Sequence, residues 1–344
     1  MNRKPRLLVL ILLVSALLVG VAGCGGDDSN GGGGDSASNG GGGGELAPVR
    51  LAISSWPGFG ALFVADEKGY FKEEGLKVEL DLVEDQTNRV QAMQSGEKDG
   101  AGMTADTWVR WLAEGVDAQQ VLATDASKGG DGIVAKKEIA SIADLKGVEV
   151  GVSAGSTAAF LLGYVLDQEG LSLDDVKQAD MSPADAGAAF ASGKIPAAAT
   201  WEPWLTKANQ MPDGHVLAST KDYPVVITTV ALLRDFIDKN PDSVQALVNG
   251  VGKAIDFMRA NPGEAAAIIG KKVGLKPDEV QASFKTLELY GLKENKKLFG
   301  TPDAPGTIFD VVDAAGKIWT ETGTIDEAPD PASGINGKFV NDGS

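Results

Sequence analysis

From Val49 onward, short apolar runs alternate with longer segments whose apolar residues recur every three or four positions. This alternation limits the possible folds more than any other feature of the chain. "VRLAIS", "KVELDLV", "DGAGMT" and "QQVLAT" have the spacing of strands, whereas "ALFVADEKGYFKEEG", "TNRVQAMQSG" and "ADTWVRWLAEG" have that of helices. Strand and helix in turn predict a mostly parallel α/β sheet with helices packed on its faces. Around "GGDGIVAKK" the pattern resets, and "VEVGVSA", "STAAFLLGYVLDQEG", "VKQADM", "DAGAAFASG" and "PAAAT" begin a second α/β unit. Past Tyr223 and Pro224, "VVITTVALL" is extended again and almost everything after it reads as helix. Two crossings, near Asp131–Lys136 and Lys221–Val226, predict two lobes on a two-segment hinge. Lobe 1 takes residues 48–132 and 225–344, and lobe 2 takes residues 133–224.

The N-terminus sets the compartment. "MNRKPR" is a basic leader and "LLVLILLVSALLVGVAG" an apolar stretch too short for a stable span, so residues 1–23 read as an export signal. "VAGC" resembles a bacterial lipobox, which implies cleavage before Cys24 and acylation of its thiol. Cys24 is the only cysteine, so no disulfide can form within the chain. Residues 24–47 form a tether: 11 of the 20 residues from Gly25 to Gly44 are glycine and the others are Asp, Ser, Asn and Ala, a composition that cannot bury a core. Such a coil reaches about 25 Å. Loss of Arg3, Lys4 and Arg6 with the signal takes the formal net charge from −17 to −20. That surface repels nucleic acid and anionic headgroups, which leaves the lipid as the means of membrane attachment.

Open α/β sheets bind ligands at the carboxyl ends of their strands, which directs attention to four strand-to-helix turns. They carry Ser54, Ser55 and Trp56; Thr104, Ala105 and Asp106; Gly155, Ser156 and Thr157; and Trp201 and Glu202. In "SAGST" a helix N-terminus offers unpaired N–H groups and positive dipole density to an anion, and the hydroxyls of Ser156 and Thr157 add donors. Ser156 equally suits a simple N-cap. Asp106, Asp131 and Glu202 are carboxylates at turns facing the same cleft, where a cationic or donor-rich group is their natural partner. Asp106 also fits a helix N-terminus for its own sake, and Asp131, between Gly130 and Gly132, also fits a hinge turn. An anion-binding helix end combined with acidic residues suggests a zwitterion or a small amino-bearing solute. In "TWEPW", Pro203 marks the first turn of a helix, so Trp201 and Glu202 project from a strand end while Trp204 packs in its own lobe. Trp56 stands at a strand end on the opposite lobe, placed for cation–π or apolar closure over a solute. Trp108 and Trp111, three apart on one helix, read as core.

Three stretches, "SSWPGFGALFVADEKGYFKEEGLKVEL", "GIVAKKEIASIADLKGVEVGVSAGS" and "LLRDFIDKNPDSVQALVNGVGKAIDFMRANPGEAA", taken in this order and spacing, resemble the solute-binding proteins of ABC importers of the nitrate, taurine and alkanesulfonate type, the NMT1/THI5-like family. The resemblance covers nearly all of the chain after the tether. It implies a bilobal periplasmic-binding fold of type II that traps a small solute by hinge closure and delivers it to permease and ATPase subunits, as a lipid-anchored monomer on the extracytoplasmic face. Ligands across the family include sulfonates, nitrate, bicarbonate and thiamine-precursor pyrimidines. By the same resemblance Ser156 and Thr157 contact an anionic head and Trp201 lines the cleft; position at the turns adds Ser54, Trp56, Thr104, Asp106, Asp131 and Glu202 to the expected ligand-binding set.

An enzyme is the competing class. "GVSAG", Gly151–Gly155, fits G-x-S-x-G between a strand and a helix, and Ser153, an acid and His215 follow in a hydrolase order. The only histidine, however, lies in the loop-like "MPDGHVLAST". HExxH, a Walker loop and a cysteine–histidine pair are all missing, so neither a metal nor a cofactor is expected. A structural or adhesive lipoprotein would explain the tether but would call for repeats or an exposed apolar stripe, and the sequence has neither.

Overall fold

The computed structural model of the chain describes residues 45–343; the signal segment, Cys24 and the tether as far as Gly44 lie outside the described residues. Two sheets form the scaffold. The first is built from β1 (Val49–Ile53), β2 (Val78–Leu82), β3 (Gly100–Thr104) and β4 (Ala118–Ser127). The second takes β5 (Asp131–Lys136), β6 (Glu149–Gly151), β7 (Lys177–Ala179), β8 (Ala197–Trp201) and β9 (Gly214–Ser219). The chain then returns to the first sheet with β10 (Ile227–Leu233) and β11 (Leu287–Leu289). Strand order is β11-β4-β10-β3-β1-β2 in one sheet and β7-β6-β8-β5-β9 in the other.

The expected parallel pattern fails for the strands that arrive from the other lobe, and also for the edge strand β11, which follows a helix yet runs antiparallel to β4. β1 runs parallel to β2 and β3, and β6 parallel to β7 and β8, whereas β10 is antiparallel to both β3 and β4, and β5 to both β8 and β9. Apart from β11, a strand that follows a helix here enters its sheet from the outer end. One that crosses between sheets enters from the inner end and must run the opposite way. The carboxyl ends of β1, β3, β6 and β8 therefore all meet at the junction of the sheets. The crossings themselves are short. Lys128–Gly130 joins β4 to β5, so Asp131–Lys136 is a strand rather than a link, and residues 220–226 join β9 to β10.

Thr220 ties the two crossings together. Its buried hydroxyl lies 2.8 Å from Ser127 Oγ, accepts from the Gly129 N–H at 2.8 Å and donates to the Asp131 carbonyl at 3.2 Å. Other local features differ from the sequence reading for identifiable reasons. "ALFVADEKGYFKEEG" breaks into the helices Gly60–Glu67 and Tyr70–Glu73 because Gly69 takes φ 78°, a left-handed conformation that ends the first. "MPDGHVLAST" contains β9 rather than a loop, since its strand pairs with the inner strand β5.

Trp108 and Trp111 are buried with Ala52, Met93, Ala101 and Met103 beneath the first sheet, as their helical spacing predicts. The helix Thr307–Glu321 packs on both units: Trp319 meets Phe160 with ring centroids 6.1 Å apart, and its indole N–H donates to the Asp106 carbonyl at 3.0 Å.

Candidate functional site

Two of the four strand-to-helix turns meet across the junction, through Thr104 and Thr157. Thr104 ends β3 and occupies the N-cap of the helix Ala105–Ala113, yet its hydroxyl makes no cap. It lies instead 2.9 Å from Thr107 Oγ1 and 2.8 Å from Thr157 Oγ1, and so reaches from the first sheet's unit to the second. Thr157 opens the helix Thr157–Gln168, whose N-cap is Ser156. The Ser156 hydroxyl accepts from Ala159 N at 3.2 Å and donates to the Ser153 carbonyl at 2.7 Å, so it is committed to capping. Gly155, with φ 69°, lets the turn lie against Arg110 of the opposite unit; a Cβ there would stand 2.9 Å from the guanidinium.

Asp106 sits one residue inside the first turn of its helix, where the dipole favours an ionised carboxylate. Burial outweighs the dipole. The side chain is fully enclosed, and desolvation lifts its pKa to about 7 against the opposing pull of the Thr104 and Thr107 hydroxyls. Oδ2 lies 3.4 Å from Thr107 Oγ1, while Oδ1 has no hydrogen-bond partner. Asp131 opens β5 opposite Trp201 of β8. Its carboxyl is pushed up to about 6 by burial, with the Ser127 hydroxyl pulling the other way.

A third carboxylate, absent from the sequence reading, belongs to the same group. Asp125 lies near the end of β4, in register with Thr228 of β10, which is itself in register with Thr104. Thr104, Thr228 and Asp125 thus form a row across three adjacent strands at the junction. Asp125 accepts from the Trp56 indole N–H at 3.4 Å and from the Thr124 hydroxyl at 3.2 Å. Desolvation lifts it to about 7, and the negative charge of Asp131 raises both Asp125 and Asp106 further. Gly58 is required beneath this contact, since a Cβ would fall 1.9 Å from Asp125 Oδ1. The one available signal for Asp125 was an aspartate inside the otherwise strand-like "QQVLATDAS", a residue that sheets disfavour.

The remaining candidates are less enclosed. Ser54 is half-buried, and its hydroxyl accepts from Trp56 N at 3.4 Å. Trp201 is half-buried at the end of β8. Both Glu202 oxygens are occupied by Thr206, through its N–H at 3.1 Å and its hydroxyl at 2.9 Å. Trp204 lies over Gly187 of its own unit, with Lys207 Nζ 3.9 Å from its ring.

Ser153 and His215 do not form a nucleophile–base pair. Val150, Ala197, Ala135 and His215 are successive partners across the second sheet. His215 is therefore three strand spacings, about 14 Å, from the strand that leads to Ser153. Its Nε2 lies 2.9 Å from the Ile139 carbonyl instead. Among the described residues no cluster of His, Cys, Asp and Glu has the geometry of a metal site.

The family model described as NMT1/THI5 like matches residues 56–265, and the chain belongs to that family. A relative in Brucella abortus, named only as a binding protein, is 30% identical over 65% of this chain and 71% of its own length. A protein of Escherichia coli named for binding aliphatic sulfonates is 32% identical over 42% of this chain and 46% of its own. Among solved structures, the periplasmic aliphatic sulphonate-binding protein of Escherichia coli superposes with a TM-score of 0.69 at 20% identity, covering 84% of this chain and 92% of that one. The fold is accordingly the bilobal type II periplasmic-binding fold.

Proposed function

We propose that the chain is the solute-binding component of an ABC importer, which captures a small anionic or zwitterionic solute of the sulfonate type between its two lobes and presents it to permease and ATPase subunits. The observation that carries this reading is the contact of Thr104 with Thr157 across the junction, at the start of a 12-residue helix. The first N–H groups of a helix have no internal partner and favour negative charge. Hydroxyls from both units converge on that point, so an anionic group bound there is shared by the two lobes and favours closure over opening. Both faces of the cleft come from one chain, which supports a monomer. The membership in a family of binding proteins and the separation of Ser153 from His215 both speak against hydrolysis.

The test is a thermal-shift and tryptophan-fluorescence screen against sulfonates, amino acids, nitrate, bicarbonate and amines. A ligand that binds only the native state raises its midpoint, and hinge closure moves the emission of Trp56 or Trp201. A midpoint that no member moves, together with turnover of activated esters lost in Ser153→Ala, would reverse the assignment.

Attachment on the extracytoplasmic face through acylated Cys24 completes the proposal. No helix among the described residues is long and apolar enough to cross a membrane. Cys24→Ser is expected to release the protein from the membrane fraction. Retention of this variant after a salt wash would contradict a lipid anchor.

A further inference from the structure

The helix Thr307–Glu321 belongs to the first sheet's unit and reaches across to the second. It is fixed to the first by the Trp319 indole N–H, which donates to the Asp106 carbonyl at 3.0 Å, and by Gly316, where a Cβ would stand 2.9 Å from Ala328 Cβ. Its last turns cross the helix Thr157–Gln168, which follows β6 of the second sheet. Three contacts mark the crossing. The Trp319 and Phe160 rings meet with centroids 6.1 Å apart, a Cβ on Gly163 would fall 2.9 Å from Ile318 Cγ2, and Lys317 Nζ pairs with Asp167 Oδ1 at 2.6 Å. Phe160, Gly163 and Asp167 recur at helical spacing, so one face of the helix makes all three contacts. That helix is also joined to the second chain crossing: Phe160 meets Tyr164 at 6.1 Å, and Tyr164 meets Tyr223, between β9 and β10, at 6.4 Å.

These contacts are made while Thr104 and Thr157 stand 2.8 Å apart, with the two units closed on each other. Opening the hinge carries the helix Thr157–Gln168 away with the second sheet and leaves Thr307–Glu321 with the first, so the contacts favour the closed arrangement alone. The interface is built to part. A cavity of about 420 Å3, lined by Gly163, Asp167, Ile318 and Glu321 among others, lies against it, where a continuous core would leave few voids larger than a water. Asp167 also lies about 15 Å along its helix from Thr157, too far to touch an anion held there. We propose that Thr307–Glu321 is an interlobe strap, which holds the units closed through Trp319, Ile318 and Lys317 and so sets how tightly a solute is kept without touching it. Affinity for a ligand bound between closed lobes rises with the closed fraction of the free protein. The proposal rests on hinge closure and not on which solute is captured.

The experiment measures the distance between the units in the ligand-free full chain. Spin labels are placed on Lys194→Cys of the second unit and Lys293→Cys of the first, both exposed positions, with Cys24→Ser to leave no other thiol. Lys317→Glu sets a carboxylate against Asp167, and Gly163→Ala drives a methyl into Ile318; each is checked for folding by thermal melts. Both are expected to raise the ratio of open to closed distances, by about twofold to fivefold for the ion pair, whose side chains are 53% and 40% exposed. Adding Asp167→Lys to Lys317→Glu restores an opposite-charge pair and should return the ratio toward that of the parent chain. Unchanged distances in both single variants overturn the strap, and so does a shift in Lys317→Glu that Asp167→Lys fails to reverse. Methanesulfonate, titrated into the same proteins, should bind more weakly wherever the open fraction grows. Unchanged affinity in a variant whose distances have shifted overturns the control of affinity. Absence of methanesulfonate binding in every chain counts against the sulfonate reading, while the distances still decide the strap.

Discussion

The turns after β3 and β8 look alike in sequence: each ends a strand, starts a helix and places a carboxylate within two residues of the strand's last position. Their structures diverge. Asp106 is enclosed, with one oxygen lacking any partner, whereas Glu202 is half-exposed with both oxygens on Thr206. The difference follows from what covers each turn. The helix after β3 lies beneath Thr307–Glu321, whose Trp319 bonds the Asp106 backbone, while the helix after β8 leaves its first turn at the surface. A carboxylate at a helix start can therefore be a local cap or an enclosed charge, and the covering element decides which.

The largest expected effect separates the two carboxylates through pH. With folded pKa values of about 7 against the usual 3.8, Asp106 and Asp125 bind protons in the folded state that the unfolded chain has already released. Stability of the ligand-free protein should consequently fall as pH rises from about 4 to about 7 and stay low above it, by on the order of 4 kcal/mol for each group. Asp106→Asn cannot ionise and should recover about 2 kcal/mol at pH 8, after allowing for an imperfectly bonded amide, and little at pH 5. Urea melts of both proteins across this range provide the measurement. Curves that stay parallel from pH 5 to pH 8 would mean that Asp106 is not strained by burial.

Next in size is Thr157→Val, which keeps the shape of the residue and deletes the hydroxyl that meets Thr104. If that hydroxyl bonds the anionic end of the solute, affinity for a sulfonate should drop about tenfold or more, as for the loss of a hydrogen bond to a charged group. Ser156→Ala should act on stability instead, costing about 1 kcal/mol through loss of the N-cap. Calorimetry and thermal melts on the pair distinguish the two roles. A Ser156→Ala protein that melts normally and binds poorly would exchange them.

How much of this was legible depended on what kind of fact each residue expresses. Period-two and period-3.6 spacing recovered the strands and helices, and with them the turns at Thr104 and Thr157, because burial of one face writes itself into the sequence. Spacing says nothing of strand direction, so the reversal of β5 and β10 emerged only from the sheet pairing. Asp125 and Thr228 were hidden for a related reason. They lie inside almost wholly buried strands that carry other polar residues as well, Gln119, Gln120 and Thr124 in β4 and Thr229 in β10, and a polar residue there becomes meaningful only when its neighbours across the sheet are known. Thr220 looks like an ordinary link residue until two chain segments are seen to share its hydroxyl.

The two tryptophans of "TWEPW" give an effect of intermediate size. Trp204 covers Gly187 so closely that a Cβ there would come within 2.3 Å of the ring, so it is packed against its own lobe. Trp204→Ala should destabilise the protein by about 2 kcal/mol, less than a fully enclosed tryptophan would, with little change in affinity. Trp201→Ala should weaken solute binding by about 1 to 3 kcal/mol if the side chain closes over the ligand. The converse outcome, normal binding in Trp201→Ala and poor binding in Trp204→Ala at equal stability, would move the cleft wall to the helix.

Glu202→Gln should have the smallest effect, and it tests the comparison between the turns most directly. The side chain accepts from the Thr206 N–H and hydroxyl, and a glutamine oxygen can still accept one of these bonds. What is lost is a negative charge beside the start of a short exposed helix, worth about 0.5 kcal/mol and screened by salt. Affinity for a sulfonate should therefore change by less than about twofold, and stability at pH 8 by far less than the shift of about 2 kcal/mol expected in Asp106→Asn. Measuring both variants at low and high salt sharpens the contrast, since an exposed charge fades with ionic strength and an enclosed one does not. A large loss in Glu202→Gln that persists in salt would mean that the turn after β8 encloses its carboxylate much as the turn after β3 does, and the contrast between the two turns would fail.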